Sequence, residues 1–188
     1  LVAVGWNGAI VHSTDKGLTF TPSTSLTKES LDSITALDEN TLVAVGWNGA
    51  IVHSTDKGLT FTPSTSSTKE SLNSITALDE NTLVAVGENG AIVHSTDKGL
   101  TFTPSTSSTK EHLRSITALD ENTLVAVGLS GTIVHSTDKG LTFTPSTSSP
   151  KESLYSITAL DENTLVAVGD NGTIVRSTDK GLTFTPST

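Results

Sequence analysis

Short apolar runs broken by polar turns set the pattern of this chain. In one stretch, Ser33–Leu37 reads SITAL, Thr41–Gly46 reads TLVAVG, Ala50–Ser54 reads AIVHS and Leu59–Thr62 reads LTFT. Runs of four to six residues, rich in Val, Ile and Thr and bounded by Asp, Asn, Gly and Pro, predict strands. Asp38-Glu39-Asn40 is the first turn. Asn48-Gly49 signals a tight hairpin, because both residues tolerate positive φ. Asp56-Lys57-Gly58 is the third turn, and Pro63 stops the fourth strand. A Ser/Thr-rich linker, Ser64 to Lys69, leads to the next unit. No segment has helical periodicity, and Glu70 to Leu72 offers at most one short turn.

The pattern recurs. LVAVG begins at Leu1, Leu42, Leu83, Leu124 and Leu165, a spacing of 41 residues each time. Four strands per unit fit a propeller blade better than the shorter coils of a β-helix or the leucine spacing of a horseshoe. One blade cannot bury both faces of its sheet; stacking blades about an axis does so. The expected fold is all-β: a β-propeller of five blades, each of four antiparallel strands, with the first blade lacking its inner strand. The chain is read as a single propeller domain, 1–188, with units 1–32 (partial), 33–73, 74–114, 115–155 and 156–188. The expected arrangement is a five-bladed ring, the alternative an open array that closes by oligomerising; the unpaired edge of the first blade is met by residues outside the sequence, by tolerance of a three-stranded blade, or by a strand lent from a second chain in a homo-oligomer.

Composition changes this picture little. A hydrophobic fraction of 34% is low enough to raise disorder, but its clustering into strand-like runs argues against that. A net charge of -9 with no Lys/Arg run excludes nucleic acid as an expected partner. No apolar stretch is long enough to span a membrane as a helix. The chain has no cysteine, so no disulfide framework or thiolate chemistry is open to it.

Each unit carries Ser-Thr-Asp-Lys-Gly-Leu-Thr-Phe at its third turn: Ser13–Phe20, Ser54–Phe61, Ser95–Phe102, Ser136–Phe143 and Ser177–Phe184. Asp15, Asp56, Asp97, Asp138 and Asp179 are placed to accept hydrogen bonds from turn N–H groups. The Phe that follows is the apolar anchor of the hairpin. This motif resembles the Asp-box, or bacterial neuraminidase repeat. The preceding G-x-N-G-x-I-V resembles blades of the photosystem II assembly factor family, whose members are expected to have seven blades. Both resemblances imply a propeller and a structural role for the Asp. Calcium needs more oxygens than one carboxylate per turn supplies, so neither metal nor cofactor is expected.

The resemblance raises a sialidase, a glycoside hydrolase, as a remote alternative. Such enzymes are expected to need several arginines and a tyrosine nucleophile; this chain has Arg114, Arg176 and Tyr155 only. No catalytic residue is assigned, and the chain is not expected to be an enzyme. His12, His53, His94 and His135 repeat at one position of the third strand, with Arg176 in the fifth copy. They are expected to pack on strands or between blades rather than to bind metal.

Among near-identical units the exceptions stand out. The second hairpin carries Trp6, Trp47, Glu88, Leu129 and Asp170 at one position. Asp32, Asn73, Arg114 and Tyr155 differ just before the first strand, and His112 replaces the serine of other linkers. Successive turns of an up-and-down sheet alternate between rims, so these residues are expected on one rim. They are the candidate ligand-binding residues of a non-catalytic binding module or repeat scaffold, with a glycan or protein as ligand. Lectin-like carbohydrate binding is the alternative. The near-identity of the units also fits an amplified or engineered repeat.

Overall fold

The computed structural model describes residues 1–147 and 150–187. Blade 2 shows how one unit folds. Its inner strand is Leu31–Ala36, its second Leu42–Gly46, its third Ile51–Ser54 and its outer Thr60–Pro63. All three pairings are antiparallel, with Ile34 opposite Ala44, Ala44 opposite Val52 and Val52 opposite Pro63. The inner strand starts two residues before the expected Ser33. Leu31 pairs with Gly46 across a register shift between Leu31 and Ser33, so the polar Asp32 did not look like strand. The outer strand includes Pro63, which a strand end accepts because no ladder N–H is required of it.

A fifth short strand was not anticipated. Thr24–Ser25, in the linker that leaves blade 1, runs parallel to Thr60–Phe61 at the outer edge of blade 2. Thr65–Ser66 and Thr106–Ser107 repeat this on blades 3 and 4. Each linker thus covers the outer edge of the following sheet before entering its inner strand. Among the described residues there is no α-helix. The second hairpin is a single 3-10 turn, Trp47–Gly49, with Asn48 at φ 54° and Gly49 at φ 72°.

The core lies between blades. Val43, Val45 and Ile51 of blade 2 pack against Leu72, Ile75, Leu83, Ala85, Val93 and Phe102 of blade 3. Blades 3 and 4, and blades 4 and 5, repeat the same set one period on. Small β-branched residues suit this close sheet-to-sheet contact. Near the axis, the Ile75 N–H donates to Ser33 Oγ at 3.2 Å, and Ile116 and Ile157 repeat the bond to Ser74 and Ser115.

The expected ring is not closed by these residues. Blade 1 has three strands, Val2–Val4, Ile10–His12 and Thr21–Pro22, with no inner strand. Among the described residues no hydrophobic cluster joins it to blade 5. Val168 and Ile174 of blade 5 are each 43% exposed, whereas Val86 and Ile92 of blade 3 are 0% and 3%. On the opposite end Phe20 is 47% exposed, whereas Phe102 is 3%. The blades stack with a gap between the first and the last, and each end leaves bare the half-interface that its neighbours bury.

Candidate functional site

Hydrogen bonds sort the turns onto two rims. The Lys57 N–H donates to the Asn40 carbonyl, which puts the first and third turns of a blade together. Asn48 Nδ2 donates to Glu29 Oε2 at 2.9 Å, which puts the second hairpin beside the linker on the other rim. The variable residues therefore share a rim, as alternation requires.

Along that rim the structure brings most of them into contact. In blade 2, Asp32 sits beside the Trp47 indole. Burial raises the Asp32 carboxyl above its ordinary pKa; the indole pulls the other way, and the negative charge of Glu88 adds to the rise. Asn73 Nδ2 reaches across to blade 4 and donates to the Leu113 carbonyl at 2.7 Å. Glu88 Oε1, on the blade 3 hairpin, lies 4.0 Å from His112 Nδ1 in the next linker. The Tyr155 hydroxyl donates to Asp170 Oδ2 at 3.0 Å. That bond holds the Tyr155 pKa above its ordinary value, with desolvation and the Asp170 charge behind it and Arg114 opposing. Buried His112 Nδ1 and Arg114 Nε have no hydrogen-bond partner among the described residues.

Three aromatic groups of this rim face solvent: Trp6 is 79% exposed, Trp47 52% and Tyr155 49%. Trp6 stands on blade 1 at the end of the band. Leu129 is half-buried on the blade 4 hairpin. The variable positions of the rim therefore offer aromatic surface, three carboxylates (Asp32, Glu88 and Asp170) and one guanidinium (Arg114) over several blades.

The opposite rim is built for rigidity. In blade 3, Ser95 Oγ donates to Asp97 Oδ1 at 2.8 Å. The Thr101 N–H and hydroxyl donate to the two Asp97 oxygens at 2.9 and 2.6 Å. The Gly99 N–H donates to Ser95 Oγ at 3.0 Å. Burial alone would raise the Asp97 pKa, but these bonds outweigh it and hold the carboxyl below the ordinary range. Lys98 takes φ 63° beside Gly99 at 83°, a left-handed pair at the tip of the turn. The Asp120 pKa falls to about 2, chiefly through the Asn122 N–H, against some desolvation, with Lys180 of the next blade at 3.1 Å.

The repeated histidines lie between these rims, on the outer half of each sheet. His53 Nδ1 is 3.1 Å from Ser64 Oγ and Nε2 is 3.2 Å from Thr62 Oγ1. Both ring nitrogens are engaged within the blade, which supports the packing role. Ser64 Oγ in turn donates to the Gly99 carbonyl of blade 3 at 2.6 Å. Nothing local to Ser64 marks this tie except the recurrence of the same residues in each unit.

No protein-family model matches the chain, and no curated protein is significantly similar to it. Solved structures share its fold at low identity. An ancestral GH74 enzyme aligns over 99% of this chain and 29% of its own, with TM-score 0.81 and 14% identity. YCF48 from Cyanidioschyzon merolae aligns over 95% and 65%, with TM-score 0.70 and 14% identity. YCF48 bound to D1 peptide aligns over 98% and 76%, with TM-score 0.65 and 16% identity. The chain thus spans under a third of the GH74 enzyme and about two thirds of the first YCF48. Enzymes and binding proteins stand together among these neighbours, and what they share with this chain is the β-propeller.

Proposed function

We propose that the chain is a non-catalytic binding module whose recognition surface is the rim of the second hairpins and linkers, and that its ligand is a peptide or protein segment. The observation that carries this is the clustering of variation. Units otherwise nearly identical differ at Trp6, Asp32, Trp47, Asn73, Glu88, His112, Arg114, Leu129, Tyr155 and Asp170, and these positions share one rim. Exposed aromatics beside charged groups are the side chains that anchor protein partners. The neighbour with a bound D1 peptide supports a peptide over other ligand classes. The bonding of the Ser-x-Asp-x-Gly-x-Thr-Phe turn supports its likeness to the Asp-box and a structural role for the Asp.

No catalytic role is proposed. Asp170 accepts the Tyr155 hydroxyl, and the two arginines lie on different strands of different blades. The test is a peptide library and a glycan array probed with the wild-type chain and Trp47→Ala. Expected are peptide signals that Trp47→Ala weakens while its melting temperature stays within about 2 °C of the parent, as for a surface truncation. Signals confined to glycans would establish the lectin alternative. Silence on both arrays would remove the proposal and favour a plain scaffold.

A further inference from the structure

The space where blade 1 would have its inner strand is a groove of about 590 Å³. Its walls include Leu1 and, from the second strand of blade 1, Val2, with Ile34, Thr35 and Ala36 from the inner strand of blade 2. Leu1 exchanges backbone bonds with Ser13, and the Gly5 N–H donates to Ala9, so odd-numbered residues of this strand face the third strand. By alternation the N–H and C=O of Val2 and Val4 face the groove. They form an unpaired edge, which is a template for an added strand.

Intact blades specify what fits there. In blade 2 the inner strand sets Ser33 opposite Val45, Ile34 opposite Ala44 and Thr35 opposite Val43. Shifted by one period, an added strand would set its Ser opposite Val4 and its Thr opposite Val2. Three of the four inner-strand isoleucines donate their N–H to the serine of the preceding blade. Ile34 is the fourth, and blade 1 has no inner strand to supply that serine. The groove is also open where its counterparts are filled. A Cβ at Gly46 would clash with the Ser30 carbonyl, whereas one at Gly5 would meet nothing within 4 Å.

We propose that this groove is a strand-acceptor site, and that its occupant is an extended segment of the repeat's own inner-strand pattern, Leu-x-Ser-Ile-Thr-Ala, added from outside residues 1–188. It pairs antiparallel to Val2–Val4. Its serine hydroxyl accepts the Ile34 N–H, and its threonine and serine main-chain groups pair with Val2 and Val4. The site is distinct from the variable rim and does not depend on that rim's function.

The probe is a synthetic, fluorescein-labelled peptide with the sequence of residues 69–80, KESLNSITALDE, titrated into the whole chain. Expected are a saturable rise in anisotropy at one peptide per chain and slower hydrogen exchange at the Val2, Val4 and Ile34 amides. The same peptide N-methylated at the position of Thr76 loses one ladder donor and is expected to bind at least tenfold more weakly. The proposal is overturned by absence of saturable binding up to millimolar peptide, by equal affinity of the N-methylated form, or by exchange protection that spares those three amides. It is also overturned if the chain alone assembles end to end with those amides already protected, since a second copy would then occupy the groove.

Discussion

The Ser64 hydroxyl donates to the Gly99 carbonyl at 2.6 Å, joining the first residue past one blade's outer strand to the third turn of the next. Because that proton is committed, Ser64 Oγ accepts from His53 Nδ1, and His53 Nε2 accepts the Thr62 hydroxyl. One serine therefore fixes an imidazole tautomer and a blade-to-blade distance together. Ser64→Ala removes both partners at a half-buried site and is expected to destabilise by about 1–3 kcal/mol. Ser187 occupies the same place in blade 5, is exposed, and has no described blade beyond it. Ser187→Ala is expected to change stability by less than about 0.5 kcal/mol. Urea unfolding of the two variants checks the pair, and equal losses would remove the tie from the account.

Asp97 gathers the Ser95 hydroxyl and the Thr101 N–H and hydroxyl within one turn. Asp97→Ala is expected to destabilise by about 1–2 kcal/mol, the low part of the range for charged acceptors because the turn keeps solvent contact. Asp97→Asn keeps one acceptor oxygen and should recover part of the loss. Thermal melts that match the wild type for both variants would contradict a structural role for this residue.

The carboxylates of the third turns and of Asp120 have folded pKa values below their ordinary 3.8. A lowered folded pKa means the unfolded chain binds protons first, so stability falls as pH drops through the interval between the two values. The contribution is fully present above about pH 5, roughly one unit over the unfolded value, and is lost progressively toward pH 2, where the lowered Asp120 value of about 2 lies. Urea midpoints measured at pH 6, 5, 3 and 2 are expected to be level between the first two and to fall across the last two. A midpoint independent of pH down to 2 would show that these bonds are not made in solution.

Strand order, turn positions and the clustering of variable residues were all legible in the sequence, because each rests on a local signal. Asn48-Gly49 dictates its hairpin, and the positions of Trp47, Glu88 and Tyr155 follow from counting turns. The linker strand Thr24–Ser25 was not legible, since its pairing uses backbone groups alone and leaves no apolar alternation. The contacts Glu88–His112 and Asn73–Leu113 were equally hidden, because they depend on how far one blade rotates past the next. The same rotation decides whether five blades meet, and no residue in a 41-residue unit announces it.

Phe20 and Phe102 test that rotation directly. They occupy the same position of the same motif, and their neighbours in sequence are identical over Ser13–Phe20 and Ser95–Phe102. Phe102 is 3% exposed because Val43, Val45 and Ile51 of the preceding blade close over its sheet. Phe20 is 47% exposed because no described blade precedes it. Phe102→Ala opens a cavity in a packed interface and is expected to cost about 3–5 kcal/mol. Phe20→Ala removes a side chain already half in water and is expected to cost less than about 1.5 kcal/mol, scaled by the area it buries. If blade 5 closed onto blade 1 in solution, Phe20 would meet Val166, Val168 and Ile174 and its truncation would cost nearly as much as that of Phe102. Urea unfolding of both variants at low micromolar concentration, where end-to-end association is weakest, distinguishes the open stack from the closed ring.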